Sequence, residues 1–344
     1  MVFRQVFKPY VCKRFISQPC KSGRPLRQNV LLGTLVTGIS GTIIWNYQTQ
    51  IKELWQDYIS DTKELSPDDF TKYRITNRVD IDSCHYFMEL TPIKEQKVNL
   101  WELFGGEKLW SVEVKQPEIM VVRNYTPLPL KFDPVHKQLQ QIDVTCGNNN
   151  GKLVFYIKSY DRGEVARWLH RLPIGELVEL RGPTVDCNIS MGHEKISHSE
   201  QKKQSDIAAF TAGTGIVAAL QLGLNPYSRF KGKIDLYHSC NRSDELGQLL
   251  KFLTSLEQSD KMRLHLFELS KGETIGKAKS EIPQPFTDKK SSDKLASNCK
   301  LALVCGPEGY ITEVAGMKYD LQQGPVAGLL KEKGWGNHNV WKLN

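Results

Sequence analysis

Three short stretches bring together residues that could hold a phosphorylated aromatic ligand. The first is Arg123-Asn124-Tyr125-Thr126-Pro127-Leu128. A guanidinium, a phenol and a hydroxyl on one extended strand reach a phosphate and a planar ring together. The second is Gly213-Thr214-Gly215-Ile216-Val217-Ala218, which matches G-x-G-x-x-A between an apolar strand and a helix. Glycines there let the backbone approach a pyrophosphate, and the helix N-terminus supplies amide donors. A tight packing turn accounts for the same glycines equally well. The third is Cys305-Gly306-Pro307-Glu308-Gly309-Tyr310, at the end of a later strand, where α/β sheets bind their ligands. The acidic ribose partner that usually completes a dinucleotide fingerprint is missing. The second strand of that region runs into Ser239-Cys240-Asn241-Arg242, and Asp235 lies mid-strand. Arg242 and Ser239 could instead donate to a 2′-phosphate; the alternative for Arg242 is a solvated loop residue.

The elements that must position these stretches fall into two groups. From residue 70 to about 185, Val, Ile, Tyr and Phe cluster in short runs at 73–79, 86–90, 120–125, 153–160 and 177–181. Gly, Asn and Pro punctuate them, the pattern of a small antiparallel barrel. One helix, 164–172, interrupts it. From residue 207 apolar strands alternate with helices: strands at 207–210, 233–237, 263–268 and 301–305, helices at 216–224 and 245–256. That order predicts a parallel sheet covered on both faces. The polar stretch 271–298 reads as a long surface loop. With 344 residues, two domains are expected at roughly 150 residues each.

The net charge of +8 is not spread along the chain. Residues 1–27 carry seven basic groups, Arg4, Lys8, Lys13, Arg14, Lys21, Arg24 and Arg27, and no acid. The remainder is left at +1, which gives no basic stripe for nucleic acid. A cationic, acid-free leader has the composition of a mitochondrial presequence; the alternative is a plain basic tail. Between Arg27 and Lys52 there is no charge, and residues 30–47 are mostly apolar. Eighteen residues at 1.5 Å each give about 27 Å, enough for one membrane span; a cleaved sorting signal or a buried helix are the other options. Ile51, Leu54, Trp55, Tyr58 and Ile59 then recur at helical spacing, an amphipathic stalk. The eight cysteines contain no C-x-x-C pair and no zinc pattern. His193 and His198 sit in a polar run and read as solvated.

The order Arg-x-Tyr-Thr-Pro-Leu at 123–128, Arg-Gly-Pro at 181–183, Ala-Gly-Thr-Gly-Ile at 212–216 and Cys-Gly-Pro at 305–307 resembles the ferredoxin–NADP reductase superfamily. The likeness is to its NADH–cytochrome b5 reductase branch and runs from about residue 65 to the C-terminus, including Ser66-Pro67-Asp68-Asp69-Phe70. It implies an antiparallel β-barrel that binds FAD, joined to an α/β parallel-sheet domain that binds NADH or NADPH. In that reading residues 1–27 are the presequence, 28–48 the transmembrane segment, 49–65 the stalk, 66–204 the FAD domain and 205–344 the nucleotide domain. The resemblance implies Arg123 at the FAD phosphates, Tyr125 along the flavin, the Thr126 hydroxyl near flavin N5, and Pro127 among the cofactor-binding residues. Lys158 and Tyr160 match a strand that also contacts FAD. Gly163, Val165 and Ala166 match the segment that binds the pyrophosphate. The family ends that segment in Met-Ser, so contact here falls to backbone amides. Gly213, Thr214, Gly215, Gly306 and Pro307 match the nucleotide loops, and Cys305 is implied beside the nicotinamide.

Two departures fall on the nucleotide half. The family's Gly-Gly-Thr-Gly-Ile-Thr-Pro becomes Ala212-Gly213-Thr214-Gly215-Ile216-Val217-Ala218, and Cys-Gly-Pro-Pro-Pro-Met becomes Cys305-Gly306-Pro307-Glu308-Gly309-Tyr310. The C-terminal run, with Gln323-Gly324-Pro325-Val326, Lys333-Gly334-Trp335 and Val340-Trp341-Lys342-Leu343, is unlike ordinary b5 reductases. With the leader and span it resembles a group of fungal mitochondrial inner-membrane flavoproteins that assist haem ligation to cytochrome c. That likeness implies a body in the intermembrane space and an NAD(P)H oxidoreductase passing electrons to haem. Its implied partners are apocytochrome c and the haem-ligation machinery. The alternatives are a tethered assembly factor with a vestigial nucleotide site, or a mitochondrial NADH–cytochrome b5 reductase.

Overall fold

Short β-rich segments build the first half of the body. The computed structural model describes residues 63–146, 149–160, 163–189, 207–285, 298–299, 301–319 and 322–343. The expected presequence (1–27), span (28–48) and most of the stalk (49–65), with His193 and His198, lie outside them. Among the described residues no helix is long and apolar enough to cross a membrane.

The first module contains β1 (Thr71–Asp80), β2 (His85–Pro92), α1 (Leu100–Phe104), β3 (Lys108–Gln116), β4 (Val121–Tyr125), β5 (Leu130–Phe132), β6 (Leu139–Gln141), β7 (Leu153–Lys158), α2 (Glu164–Arg171) and β8 (Leu177–Asn188). Six strands form one antiparallel sheet in the order β4-β3-β8-β1-β2-β7. Three residues past β4, the Leu128 amide donates to the Val154 carbonyl on β7 at 2.7 Å. The sheet thereby curls until its two edges meet. Alternation sets the interior: Tyr73 and Ile75, Tyr86 and Met88, and Leu153, Phe155 and Ile157 all point into one core. Helix α2 plugs an end of the barrel with Val165, Ala166 and Leu169.

The second module contains β9 (Ile207–Ala212), α3 (Ile216–Leu224), β10 (Ile234–Cys240), α4 (Leu249–Gln258), β11 (Met262–Glu268), the two-residue pair β12 (Gln284–Pro285) and β13 (Asn298–Cys299), β14 (Leu301–Cys305), α5 (Glu308–Ala315), α6 (Gly328–Glu332) and β15 (Val340–Lys342). Its parallel sheet runs β11-β10-β9-β14-β15. Strand β9 is buried throughout, as a central parallel strand with both faces covered must be.

Two expectations need correction. The helix expected over 245–256 is split. A short 3-10 turn (Ser243–Leu246) ends at Gly247, whose φ of +50° no β-carbon tolerates easily, and α4 starts after it. The stretch expected as a surface loop from 271 is partly core, because Ile275 and Ile282 are buried against the outer face of the parallel sheet.

The odd-even alternation of β7 also joins the modules. Its Val154 and Tyr156 face away from the barrel interior and share a core with Ile216, Leu220 and Leu246. Polar contacts fix the angle. The buried Gln221 amide on α3 donates to the Trp110 carbonyl (2.9 Å) and the Pro127 carbonyl (3.0 Å), and it accepts from the Trp110 amide (3.0 Å). Asn225 donates to the Trp101 carbonyl at 3.1 Å, and the Tyr156 hydroxyl to the Glu245 carbonyl at 2.9 Å.

Gln221→Leu keeps the volume but strands three buried backbone groups. Each costs about 1–3 kcal/mol when unmet, so the variant should unfold at least about 2 kcal/mol more easily in urea. A loss below about 0.5 kcal/mol would show that Gln221 does not hold the modules together.

Candidate functional site

The Gln221 contact to Pro127 places the end of β4 directly over the turn that opens α3. Between them lies a cleft of about 770 Å³. The barrel supplies Arg123, Tyr125 and Thr126 from the end of β4, Lys158 and Tyr160 from the end of β7, and Gly163, Val165 and Ala166 from the start of α2. The parallel sheet supplies Gly213, Thr214 and Gly215 after β9, and Cys305, Gly306 and Pro307 after β14. So residues separated by up to about 180 positions in sequence face one space. Two of the anticipated residues do not line it. Pro127 is buried, and its carbonyl is taken by Gln221. Arg242 stands outside, exposed, with its guanidinium forked onto the Asp244 carboxylate (Nε to Oδ1 3.0 Å). An arginine already paired in this way offers little net charge to a phosphate.

Donors and charge have a definite layout. Helix α2 begins at Gly163 with no side-chain cap. Gly163 to Ala166 line the cleft, and uncapped amides at a helix start favour an anion. Arg123 is exposed and spends one N–H on its neighbour's carbonyl (Val122, 2.9 Å). Lys158 adds a second cation. Glu164 and Glu308 oppose them from the two helix starts. Tyr125 packs edge-on to Phe155, and burial pushes its phenol well above the ordinary range. It is a neutral ring and donor at physiological pH.

The two glycines of the turn do different work. Gly213 has φ +55° and open space where a Cβ would stand, so it is a backbone shape with room for a ligand above it. A Cβ on Gly215 would collide with the Cys305 carbonyl oxygen. This glycine serves the packing of the β9 turn on the end of β14.

Cys305 is buried, and burial first, then the Asp186 charge, pushes its thiol up to about 12. It is a neutral thiol, not a nucleophile, at neutral pH. Asp186 on β8 accepts from the Ser111 hydroxyl at 3.0 Å. Burial raises its carboxyl to about 6, against the opposing pull of the Ser111 hydrogen bond and the Lys318 charge. Motif reading gave no sign of Gln221, Asp186 or Lys318. They act through tertiary contacts between segments with no motif of their own.

The architecture is an antiparallel barrel and a parallel sheet facing one cleft, the fold that the sequence resemblance implies. Comparison with known proteins agrees. The chain is 44% identical over 310 residues to the cytochrome c mitochondrial import factor CYC2 of Saccharomyces cerevisiae, covering 82% of this chain and 84% of that protein. It is 25% identical over 287 residues to an uncharacterized FAD-binding protein of Schizosaccharomyces pombe, covering 81% and 86%. Among solved structures, the cytochrome P450 reductase GcoB of Amycolatopsis superposes with a TM-score of 0.51 at 13% identity, over 80% of this chain and 71% of that one. No family model matches. The chain belongs to the family of the yeast import factor.

The Asp186 environment has a measurable consequence. A carboxyl with a raised folded pKa keeps its proton in the native state after the unfolded chain has lost it. This group therefore lowers stability as pH rises from the ordinary carboxylate range through about 6, and no further above that. Asp186→Asn should match the parent near pH 4 and exceed it at pH 7 by roughly 2 kcal/mol, read from urea unfolding at both pH values. An equal pH slope in parent and variant would contradict the raised carboxyl.

Proposed function

We propose that this chain is an FAD-dependent NAD(P)H oxidoreductase that passes electrons to haem during attachment to apocytochrome c. The observation that carries the reading is the shared cleft. One set of cationic and amide donors faces, within the same space, a glycine turn and a thiol at the carboxyl ends of parallel strands. FAD fits the barrel side: the uncapped start of α2 and Arg123 suit its phosphates, and Tyr125 and Tyr160 suit its rings. When bound, FAD accepts a hydride and releases electrons singly. The protein's part is to bind and orient. Arg123, Lys158 and the α2 amides hold the pyrophosphate, the Thr126 hydroxyl orients the ring edge, and the neutral Cys305 thiol lines the nicotinamide side without competing as a nucleophile. With Arg242 paired to Asp244, discrimination between NADH and NADPH is weak. The relative named for cytochrome c import supports haem, apocytochrome c and the haem-ligation machinery as partners, and a mitochondrial setting. The acid-free leader and the uncharged run at 28–48 support anchoring in the inner membrane with the body in the intermembrane space.

A second reading has its own observation. Glu308 and Tyr310 replace small or apolar residues of the family motif beside the nucleotide loops, as expected of an assembly factor whose nucleotide site has decayed. The full chain purified in detergent decides between them. Under the first reading it carries flavin that NADH or NADPH bleaches without air; flavin that neither nucleotide bleaches supports the second. Arg123→Ala should weaken FAD binding by about tenfold to a hundredfold, the worth of a charge-assisted phosphate contact. Undiminished flavin occupancy in that variant would remove Arg123 from the site.

A further inference from the structure

The seam between the modules holds a second polar junction, apart from Gln221. His85 opens β2. Its neighbours in alternation, Tyr86 and Met88, point into the barrel, so His85 faces the other way with Phe87, toward the second module. The residue is 2% exposed. Its ring stacks on Tyr156, with centroids 5.9 Å apart and planes 12° apart, and Tyr156 in turn lines the cleft. The Nδ1 atom lies 2.8 Å from Asp82 Oδ2. Asp82 also accepts from the Cys84 and His85 amides, both at 2.7 Å. Burial pushes its carboxyl up, but those two amides and then the His85 ring hold it below the ordinary range. Asp82 is therefore an anion that only accepts, which puts the proton of a neutral His85 on Nδ1 and leaves Nε2 a bare acceptor. Nε2 is shut off from solvent, has no hydrogen-bond partner among the described residues, and stands 3.9 Å from Glu245 Oε2 in the 3-10 turn of the second module. The same turn meets the barrel at its end, where a Cβ on Gly247 would lie 3.0 Å from the Ile81 side chain.

A lone pair facing a carboxylate has nothing to share with it. A proton on Nε2 reverses this, because the atom becomes a charged donor aimed at an anion. A charge-assisted bond of this kind is about 2.8 Å long, so the turn must approach by about 1 Å. We infer that His85 is a proton-operated latch between the two modules: with Nε2 protonated it binds Glu245 and draws the 3-10 turn onto the barrel, and with Nε2 bare it lets that turn stand off. The ring would then lie between two carboxylates, Asp82 and Glu245, which offset the cost of a buried cation. The other groups around it are already engaged or lie further out. From β7 come the neutral Tyr156 phenol and Lys158, the register partner of His85. The turn adds Asp244, which holds Arg242. From β10 comes Cys240, whose thiol is pushed up to about 12 by burial first and then by Glu245. From β11 comes Glu268, held by Lys271 and the Ser243 amide, with Glu273 beyond it. On the barrel side of Cys84 lie Arg167, Arg171 and His170, the last on Asp80. The latch goes beyond the reductase reading and does not depend on it, since no cofactor takes part.

The contact contributes stability at low pH and loses it as pH rises through the titration of the ring. The full chain, His85→Gln, Glu245→Gln and the double variant are unfolded in urea at about pH 5.5 and about pH 8, toward the two ends of the range in which histidine ordinarily changes charge. The double-mutant cycle isolates the pair from Asp82, which all four proteins keep. The expected coupling is roughly tenfold in the unfolding equilibrium at the lower pH, the worth of a hydrogen bond to a charged group, and less than about twofold at the higher pH. Coupling that is equal at both pH values, larger at the higher one or absent from both overturns the latch. If His85→Gln does not fold, Glu245→Gln alone decides: it should lose more stability at pH 5.5 than at pH 8, and an equal or smaller loss at the lower pH overturns the inference.

Discussion

One side-chain amide fixes the geometry on which the cleft depends. Gln221 sits at the buried face of α3 and spends its donors and acceptor on backbone groups of β3 and of the stretch after β4. The helix carrying it is the one opened by the Gly213–Gly215 turn. The backbone it grips, at Pro127, directly follows Tyr125 and Thr126. A ring held against that strand end is therefore held at a set distance from the glycine turn and from Cys305. Apolar contact alone, which is non-directional, would let the two modules slide. Buried hydrogen bonds, which lose their value when geometry slips, make one register the stable one.

Within that frame, the charge layout separates the two halves of the cleft. The barrel side gathers Arg123, Lys158 and the uncapped amides of α2, so it attracts a phosphate. The sheet side offers glycine backbone and a neutral thiol, and its α5 start carries Glu308. Each half also carries one opposing carboxylate, Glu164 on the barrel side and Glu308 on the sheet side, so the excess of cations lies with the barrel. Burial, and after it the Asp186 charge, keep the Cys305 thiol protonated against the opposing pull of Lys318.

Much of this was legible in the sequence because the motifs are local and sit at strand ends. Arg123 to Thr126, Gly213 to Gly215 and Cys305 to Pro307 each need only a few consecutive residues and a strand before them, and topology brings such strand ends together. Strand β3 was harder to see, since Lys108, Glu113 and Lys115 break its apolar run, although Leu109, Trp110, Val112 and Val114 are all buried. The division of the expected helix at 245–256 turned on one left-handed glycine. The stretch after 271 looked polar because, among its described residues, few besides Ile275, Ile282 and Pro283 reach inward. Gln221 and Asp186 had no local signal, since each owes its role to a partner far away in the chain. Arg242 showed the reverse: its type suggested a phosphate, and Asp244, two residues on, claims it.

The central claim is that the barrel strand end and the glycine turn of the parallel sheet line one cleft, so that FAD held on the barrel side covers the turn. Hydrogen exchange on the full chain, with and without FAD, tests it most directly. The account predicts that FAD slows exchange of the backbone amides at Val121–Thr126 and Gly163–Ala166 and, in the same titration, at Gly213–Gly215. Protection confined to the barrel segments, with the glycine turn unchanged at saturating FAD, would contradict a shared cleft.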